Sequence, residues 1–497
     1  MILRAEWIKF RTVPSWVAGV VTAALIVVAL GLLAAAGTQM SCMNGTREVA
    51  CPPPPTDAAG LAVRDKFTFT HRSLTGDGSL TAKVGDMAGT ITYPPPNHDQ
   101  IVAGVVPWAK AGLLVKDGTK PGSDYAAVML TGEHGVRMQH DYTEDVAAPF
   151  DASAKVAWLR LTRSGDEITG YVSADGQTWQ KISTVRLAGL PDTVQIGLFV
   201  TSPSGMTVDE QAQGGHAVAA RFTQATAAFS QVSPAGGWTD TLVGYDEYRT
   251  DWEKGHPPGH TEANGVLTLA GSGDIAPETE EGMPISLMLT GVFAGLLPLI
   301  AVAAFCGTAE FRHGMIRTTL AAMPRPGRVS AAKAAVIGAV ALAAGAVAVG
   351  VTMPVTLRLL QAKAVVILAM PWTTTLRIAV GTALLLSLAA VFAYGMGSLL
   401  RRAVPAIVIV TALLVAPPIL AMASVLPGAA GTWLLRLTPG AGFAIQQAVT
   451  AYPQLAKPQT VLDGYYPLAP WAGLGVLALW ALAAVAAATW RLRRNPA

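Results

Sequence analysis

Residues 307–333 read GTAEFRHGMIRTTLAAMPRPGRVSAAK and stand between two long apolar runs. From residue 308 to residue 323, apolar side chains recur mostly at helical spacings of three and four, with basic and polar side chains between them. This pattern predicts a helix that lies on a surface and is ended by Pro324 and Pro326. An alternative is an ordinary loop whose basic residues only fix the orientation of the chain in a membrane.

The composition places much of the chain in lipid. Of 497 residues, 52% are hydrophobic and 13% are charged, and the mean hydropathy is +0.42. A soluble chain of this size would carry about a quarter charged residues. The sequence therefore indicates a membrane protein.

Six charge-free runs are long enough to cross a membrane as helices of about 20 residues. They are residues 12–46, 282–309, 334–357, 378–400, 403–435 and 464–490. Residues 364–376 are apolar but too short to cross, so we expect an interfacial or re-entrant segment. Residues 1–11 mix apolar and basic residues, which predicts an interfacial helix on membrane lipid that leads into a retained first span, residues 1–37 in all.

Charge divides the chain into an insert and a membrane part. Residues 38–283 hold 17 Lys/Arg against 29 Asp/Glu, whereas the remainder holds 18 against 3. If the chain crosses the membrane six times, thirteen basic residues lie on the same side as the N-terminus. Five lie in the short loops on the opposite side. This bias predicts that both termini are cytoplasmic, that residues 38–283 are extracellular and that residues 284–497 form the second to sixth spans. We expect the membrane to be the plasma membrane of a bacterium.

In the insert, residues 38–283, apolar side chains recur with the two-residue period of β-strands. Its candidate strands are residues 66–70, 79–84, 111–115, 125–130, 136–140, 156–162, 167–173, 179–185, 194–201 and 217–222. Short runs rich in β-branched and aromatic residues, broken by Gly, Asp, Asn and Pro, predict an antiparallel all-β sandwich over about residues 62–230. The tail, residues 231–283, either completes the sandwich or forms a second lobe.

Two cysteines flank a short loop just beyond the first span. In an oxidising compartment Cys42 and Cys51 would form a disulfide, and the alternative is two unpaired thiols.

Residues 158–179, WLRLTRSGDEITGYVSADGQTW, resemble the concanavalin A-like (laminin G-like) jelly-roll sandwiches of envelope proteins and glycanases. This fold occurs in lectins, in glycanases and in proteins with a purely structural role. The resemblance therefore implies a glycan as a candidate ligand and nothing more specific.

The membrane part has a second resemblance. Residues 310–333, EFRHGMIRTTLAAMPRPGRVSAAK, are similar to the loop after the second span of ABC-2 type transporter permeases, where the pattern E(Y/F)R.G.IRTTL...PRR...AAK is usual. Residues 6–11, EWIKFR, residues 437–447, LTPGAGFAIQQ, and residues 466–473, YPLAPWAG, also resemble that family. The resemblance implies a membrane all-α fold of six transmembrane helices, here with an inserted extracellular jelly-roll sandwich.

In that family the loop after the second span docks on the ATPase subunit. The resemblance implies that this coupling role falls to Glu310, Phe311, Arg312, Ile316 and Arg317. It also implies a homodimer or heterodimer of permeases, with ATP and Mg bound by the partner ATPase and no cofactor bound by this chain. We expect no nucleic-acid partner.

The sequence contains no GxxxxGK[ST] phosphate-binding loop, no Cys/His spacing typical of zinc, and no nucleophile triad. The resemblance to ABC-2 permeases, together with these absences, implies a non-enzymatic permease subunit of an ABC exporter whose ATPase is another chain. The alternatives are a membrane-anchored lectin-like sensor or adhesin that binds envelope glycans, and an anchored glycan hydrolase. A hydrolase would need two carboxyls facing each other across a groove.

Overall fold

A computed structural model describes residues 2–494 apart from residues 45–46, 95–96, 152, 211–215, 246–250, 280, 313, 324, 424–427 and 456–459. The side chains of residues 43–44, 47, 208–210, 216–218, 251, 312, 320 and 428 also lie outside the description. The sequence predictions for Pro324 and for the side chain of Arg312 therefore fall outside the described part.

The α-helices lie outside residues 38–283 except for one short helix, which belongs to the insert. They are α1 (Ile2–Thr12), α2 (Pro14–Gly37), α3 (Asp251–Gly255), α4 (Gly291–Arg312), α5 (Ile316–Ala322), α6 (Pro326–Ala362), α7 (Trp372–Leu400), α8 (Ala403–Leu414), α9 (Ala416–Met422), α10 (Gly428–Leu437) and α11 (Pro470–Arg494). Two 3-10 helices, Ile285–Leu289 and Pro439–Gln446, lie before α4 and after α10.

Within the described ranges, six helical segments are long and apolar enough to cross a membrane. They are Pro14–Gly37, Ile285–Phe311, Pro326–Ala362, Trp372–Leu400, Ala403–Met422 and Pro470–Arg494. The coarse prediction of a membrane-type helical part with an all-β insert is thus confirmed.

The observed spans overlap the six charge-free runs but differ from them in length. The fifth span ends at Met422 and includes the short helix α9, and α10 follows it. The last span begins at Pro470, within the charge-free run 464–490. Residues 364–371 form no helix and instead pair with the insert through Ile367 and Met283, so the predicted interfacial segment is a loop followed by α7.

The helices pack through small residues. Added Cβ atoms would lie 2.5 Å from the Val27 backbone at Gly291 and 2.7 Å from the Ala304 backbone at Gly397. Glycine at these points lets α4 approach α2 and α7 closely, as is usual where the hydrophobic effect cannot drive helices together in lipid. The buried residues of α2, α4, α6, α7 and α11 form one continuous apolar core.

The insert between α2 and α4 is built from strands. They are β1 (Cys42–Asn44), β2 (Arg47–Val49), β3 (Val63–Asp65), β4 (Phe67–Thr75), β5 (Gly78–Val84), β6 (Ala88–Thr92), β7 (Ile101–Ala103), β8 (Lys110–Lys116), β9 (Tyr125–Thr131), β10 (Val136–His140), β11 (Glu144–Ala147), β12 (Ala157–Ser164), β13 (Glu167–Ser173), β14 (Gln180–Arg186), β15 (Thr193–Thr201), β16 (Gly205–Glu210), β17 (His216–Arg221), β18 (Thr223–Ser233), β19 (Thr239–Val243), β20 (Gly259–Ala263), β21 (Val266–Gly271) and β22 (Ile275–Pro277).

Two antiparallel sheets face each other to form a sandwich. In the described residues one sheet has the order β11-β10-β9-β8-β15-β4-β19. The other has the order β14-β13-β12-β5-β18-β21-β20, with β6 and β7 added at β18. Alternate residues of β12 and β18 are buried, as expected for strands with one face toward a core. The all-β sandwich is therefore present, and the tail completes it, because β19 joins the first sheet and β20 and β21 join the second.

A short ribbon covers the outer face of the first sheet. β3 pairs with β22, and together they cover Leu114, Phe69 and Phe199 in a second apolar cluster. Two lysines of β8 point into this layer. Lys110 Nζ lies 2.6 Å from Asp274 Oδ1, and Lys116 Nζ lies 2.8 Å from Asp65 Oδ2.

Hydrogen bonds connect the insert to the loops that join the helices. The Ala62 amide donates to the Ala369 carbonyl at 2.9 Å, and the Met283 amide donates to the Val366 carbonyl at 3.0 Å. Gln454 is buried and donates to the carbonyl of Thr143 at 3.0 Å. The structure also joins Cys42 and Cys51 in a disulfide at the base of the insert.

Acid should weaken one turn of the sandwich. The Asp175 carboxylate accepts hydrogen bonds from the amides of Thr178 and Gln177 at 2.8 Å each, and these bonds lower its pKa to about 2. A depressed pKa contributes stability above the ordinary pKa of 3.8, and this contribution is lost as pH falls through about 2. We expect Asp175→Ala to lower the melting temperature most above about pH 4, with the difference from wild type shrinking toward pH 2. A difference that stays constant with pH would contradict this assignment.

Candidate functional site

The segment that opened the sequence analysis forms two helices with a break. α4 continues to Arg312, Gly314 has φ +68°, and α5 then starts at Ile316. The left-handed backbone at Gly314 suits glycine and turns the chain out of the axis of α4. The prediction of one surface helix from residue 308 to residue 323 was wrong, because residues 308–312 are the last turns of a long apolar helix.

The five predicted coupling residues separate into an inner and an outer group. Glu310 is 8% exposed and Ile316 is 3% exposed, so neither is a surface contact. Phe311 is half-buried, with the Arg401 guanidinium 5.1 Å from its ring centroid. Arg317 is exposed, and Arg312 has only its backbone described. The Ile316 side chain is buried against its own chain and is not part of the exposed side of α5, and its coupling role stays a prediction.

Glu310 joins three helices. Its carboxylate lies 2.6 Å from Lys333 Nζ of α6 and 3.2 Å from Lys9 Nζ of α1. Lys9 also contacts Glu6 at 3.0 Å. Sequence reasoning assigned Glu310 to a partner and missed this cluster, because Lys9 lies 301 residues away along the chain.

The cluster keeps Lys9 charged. Burial on its own lowers the pKa of Lys9, but the hydrogen bond and charge of Glu6 and the charge of Glu310 outweigh burial and raise this pKa above 10.5. An ammonium therefore bridges α1 and α4 at neutral pH. This bridge fixes the position of α1 beside the start of α5.

The outward surface of α5 combines an apolar residue with a cation. Met315 is 46% exposed just before the helix, and Arg317, Thr318, Ala321 and Ala322 are exposed along it. We call Met315, Arg317, Thr318, Ala321 and Ala322 the α5 surface. A central apolar contact beside an arginine is a composition typical of binding hot spots.

The end of the helices that carries α5 is basic. Outside residues 38–283 the sequence has three acidic residues, Glu6, Glu310 and Asp463, and the first two are buried. Exposed arginines surround the α5 surface or lie at the same helix ends: Arg11, Arg325, Arg328, Arg402, Arg491, Arg493 and Arg494. We call this end the basic end. Its charge suits an acidic protein face or an anionic lipid surface.

Among the described residues no group of three or more His, Cys, Asp or Glu side chains is arranged to hold a metal ion. The carboxylates of Glu6 and Glu310 neutralise the ammonium groups of Lys9 and Lys333. This arrangement positions helices and presents a surface.

Comparisons with known proteins add little. No protein-family model and no curated protein matches the chain. A functionally unknown protein from Saccharomyces cerevisiae is similar at 15% identity, over 35% of this chain and 72% of that chain, with a TM-score of 0.19. A mutant of the GH43 protein BlXynB from Bacillus licheniformis is similar at 15% identity, over 29% of this chain and 26% of that chain, with a TM-score of 0.18. These TM-scores are too low to carry an argument about fold or function.

Proposed function

We propose that this chain is the membrane-spanning permease subunit of an ABC-type exporter. In this proposal an ATPase on a separate chain binds ATP and Mg, docks on the α5 surface and drives transport of a substrate that the sequence does not name. Two permeases, identical or different, enclose the path. The permease itself is not an enzyme.

One observation carries the proposal: the exposed short helix α5 follows directly on α4, whose buried Glu310 forms ion pairs with Lys333 of α6 and with the half-exposed Lys9 of α1. A movement of α5 would be transmitted to α4 through the short turn at Gly314, and from Glu310 to α1 and α6. Rigid elements joined by ion pairs are suited to transmit such a movement. The resemblance of residues 310–333 to the ABC-2 coupling loop agrees with this mechanical role.

The proposed orientation puts the basic end in the cytoplasm of a bacterium. Arginines concentrate at that end, in agreement with the positive-inside rule. The disulfide at the other end suits an oxidising exterior. The insert, which we propose to be of the concanavalin A-like jelly-roll type, then stands outside the plasma membrane. Its contacts with residues 366–369 and Gln454 let it receive or hand over cargo in step with the helices.

The test is co-purification of the solubilised full chain with candidate ATPase subunits. We expect Met315→Asp combined with Arg317→Glu to reduce the bound ATPase at least tenfold, since the change removes the central apolar contact and reverses the adjacent charge. Arg494→Glu is the matched control, because it reverses an exposed charge at the same end but lies on α11, over Trp490. Equal retention of ATPase by all three proteins would contradict docking on α5.

A second candidate function is supported by a cavity in the insert. A cavity of about 850 Å³ lies between the proline-rich segment 52–55, β3 and the end of β19, with Tyr245, Trp252 and Glu253 in its wall. Aromatic faces beside charged groups are typical of polar ligand sites. A chain that binds envelope glycans through Trp252 and associates with no ATPase would be a lectin-like sensor or adhesin instead.

A further inference from the structure

One face of the sandwich is turned away from the helices. The ribbon of β3 and β22 lies beside the loops of the membrane part, where the Ala62 amide donates to the Ala369 carbonyl and the Met283 amide donates to the Val366 carbonyl. This ribbon covers the outer face of the first sheet. The outer face of the second sheet therefore lies on the opposite side of the sandwich, so a membrane lipid is an unsuitable ligand for it.

Four neighbouring strands of the second sheet, β14, β13, β12 and β5, are basic within an acidic insert. Residues 38–283 contain 17 Lys/Arg and 29 Asp/Glu. These four strands contain one acidic residue, Glu167, and five basic ones: Lys83, Arg160, Arg163, Lys181 and Arg186. Arg163 is buried, and the alternation along the strands puts the other four on the outer face. This face therefore carries a local positive charge that attracts anions.

Most of these cations lack an acidic partner. Among the described residues, Lys83, Arg160 and Lys181 form no ion pair, whereas Arg186 lies 4.0 Å from Asp166. The positive charge of the face is thus available to a ligand.

Arg160 is held in place for such a ligand. Its Nε donates to Thr81 Oγ1 at 3.1 Å, and its guanidinium carbon lies 3.9 Å from the centroid of the Trp179 ring. Its two Nη groups have no hydrogen-bond partner among the described atoms. A stacked guanidinium with both Nη groups free is a planar fork that matches a carboxylate.

Tyr171 lies between two of the cations. The register of the strands puts it opposite Arg160 of β12 on one side and Lys181 of β14 on the other. Neighbouring strands are about 4.8 Å apart, so these two cations are separated by about 10 Å with the aromatic side chain between them. Tyr171 is partly exposed, and its hydroxyl has no hydrogen-bond partner among the described atoms. Such a side chain suits a ligand that has both an apolar ring face and hydroxyl groups.

The rest of the face is polar. Trp179 is covered by Arg160, and Trp158 is covered by the turn at Gly176, where an added Cβ would lie 2.7 Å from the Trp158 ring. Threonines occupy neighbouring outward positions: Thr81, Thr162, Thr169 and Thr184. A protein interface usually has an apolar centre, whereas this face offers cations, hydroxyls and one tyrosine ring. The composition indicates a polar ligand with rings and negative charge.

We propose that this face binds a glycan that carries carboxylates on its sugar rings, of the uronic acid class. One carboxylate accepts from both Nη groups of Arg160, and the ring of that sugar packs on Tyr171. Further carboxylates along the glycan contact Lys181 and Lys83. The site is separate from the cavity at Trp252. It depends on the proposed extracellular position of the insert only for the source of the glycan, which is the envelope.

The test is a titration of the solubilised full chain with three hexamers. Hexagalacturonate carries rings and carboxylates, its methyl ester keeps the rings without the charge, and hexaglutamate keeps the charge without the rings. We expect hexagalacturonate to bind at least tenfold more tightly than either of the others, because it alone satisfies both Arg160 and Tyr171. Equal binding of the methyl ester or of hexaglutamate, or no binding of hexagalacturonate, would overturn the proposal.

Variants locate the site on the sheet. Arg160→Gln should weaken the binding of hexagalacturonate at least tenfold, and Lys181→Met, at an exposed position, should weaken it about threefold. Arg186→Gln is the matched control, because it removes an exposed arginine of the same sheet that lies beside Asp166, and it should bind as the wild type does. Trp252→Ala should also bind normally, since the cavity is not involved.

Two results with these variants would contradict the assignment. The first is full binding by a folded Arg160→Gln or, if that variant does not fold, unchanged binding by Lys181→Met. The second is a loss of binding in Trp252→Ala alone. Neither result depends on ATPase association, so the glycan site and the proposed function can fail separately.

Discussion

Lys116→Met is expected to lower the free energy of unfolding of the insert by about 3–5 kcal/mol. Lys116 is 1% exposed and pairs with Asp65, which is 3% exposed. The substitution leaves the Asp65 carboxylate buried with donors from the Tyr142 hydroxyl at 2.8 Å and the Gly122 amide at 2.9 Å but with no cation. In a domain of this size the melting temperature should fall by roughly 10 °C.

A double variant and a surface control make that experiment specific. Asp65→Asn with Lys116→Met removes both charges and keeps an oxygen to accept from Gly122 and Tyr142, so most of the lost stability should return. Lys181→Met removes an exposed lysine of β14 and should change stability by less than about 0.5 kcal/mol. If Lys116→Met were as stable as Lys181→Met, the buried pair would not hold the ribbon on the sheet.

Glu310→Leu is expected to detach α1 from the basic end, at a cost of about 3 kcal/mol. The change leaves Lys333, whose side chain is 13% exposed, without its acid, while Lys9 keeps Glu6. The distance between spin labels at Arg11 and Ala321 should change from a narrow to a broad distribution, because both positions are exposed and flank the cluster. The melting temperature of the solubilised chain should fall as well.

The matching double variant is Glu310→Leu with Lys333→Leu. Removing both partners replaces a buried ion pair by apolar contacts, which is often neutral, so α6 should regain its packing while α1 stays loosened. A narrow distance distribution in Glu310→Leu would show that the cluster does not position α1, and the proposed path from α5 to the other helices would lose its basis.

The strands that were easiest to predict are those in which apolar and polar side chains alternate regularly. Residues 136–140 and 167–173 were assigned with the bounds that the structure has, because apolar and polar side chains alternate between clear turns. β18 was missed beyond residue 222, since Ala225, Ala227 and Ala228 give little hydrophobic contrast along it. Its place between β5 and β21 depends on pairing with distant strands, which one sequence does not reveal.

The sequence predicted where the candidate site lies, but not what each of its residues does. Spacing and charge identified residues 307–333 as the segment of interest, and the structure puts an exposed helix there. The same spacing could not separate Ile316, which is buried, from Met315, which is exposed, because the break at Gly314 rotates the second helix relative to the first. The pairing of Glu310 with Lys9 and Lys333 is a property of the assembled helices alone.

The central claim is that an ATPase docks on the α5 surface, and photo-crosslinking in native membranes tests it most directly. A photo-reactive residue would replace Ala321, which is exposed on α5, and in a control protein would replace Ser79, which is exposed on the insert. The proposal predicts an adduct at position 321 with a protein that carries a GxxxxGK[ST] phosphate-binding loop, and no such adduct at position 79. Adducts at position 321 with lipid alone, or modification of position 321 by a membrane-impermeant reagent from outside the cell, would contradict it.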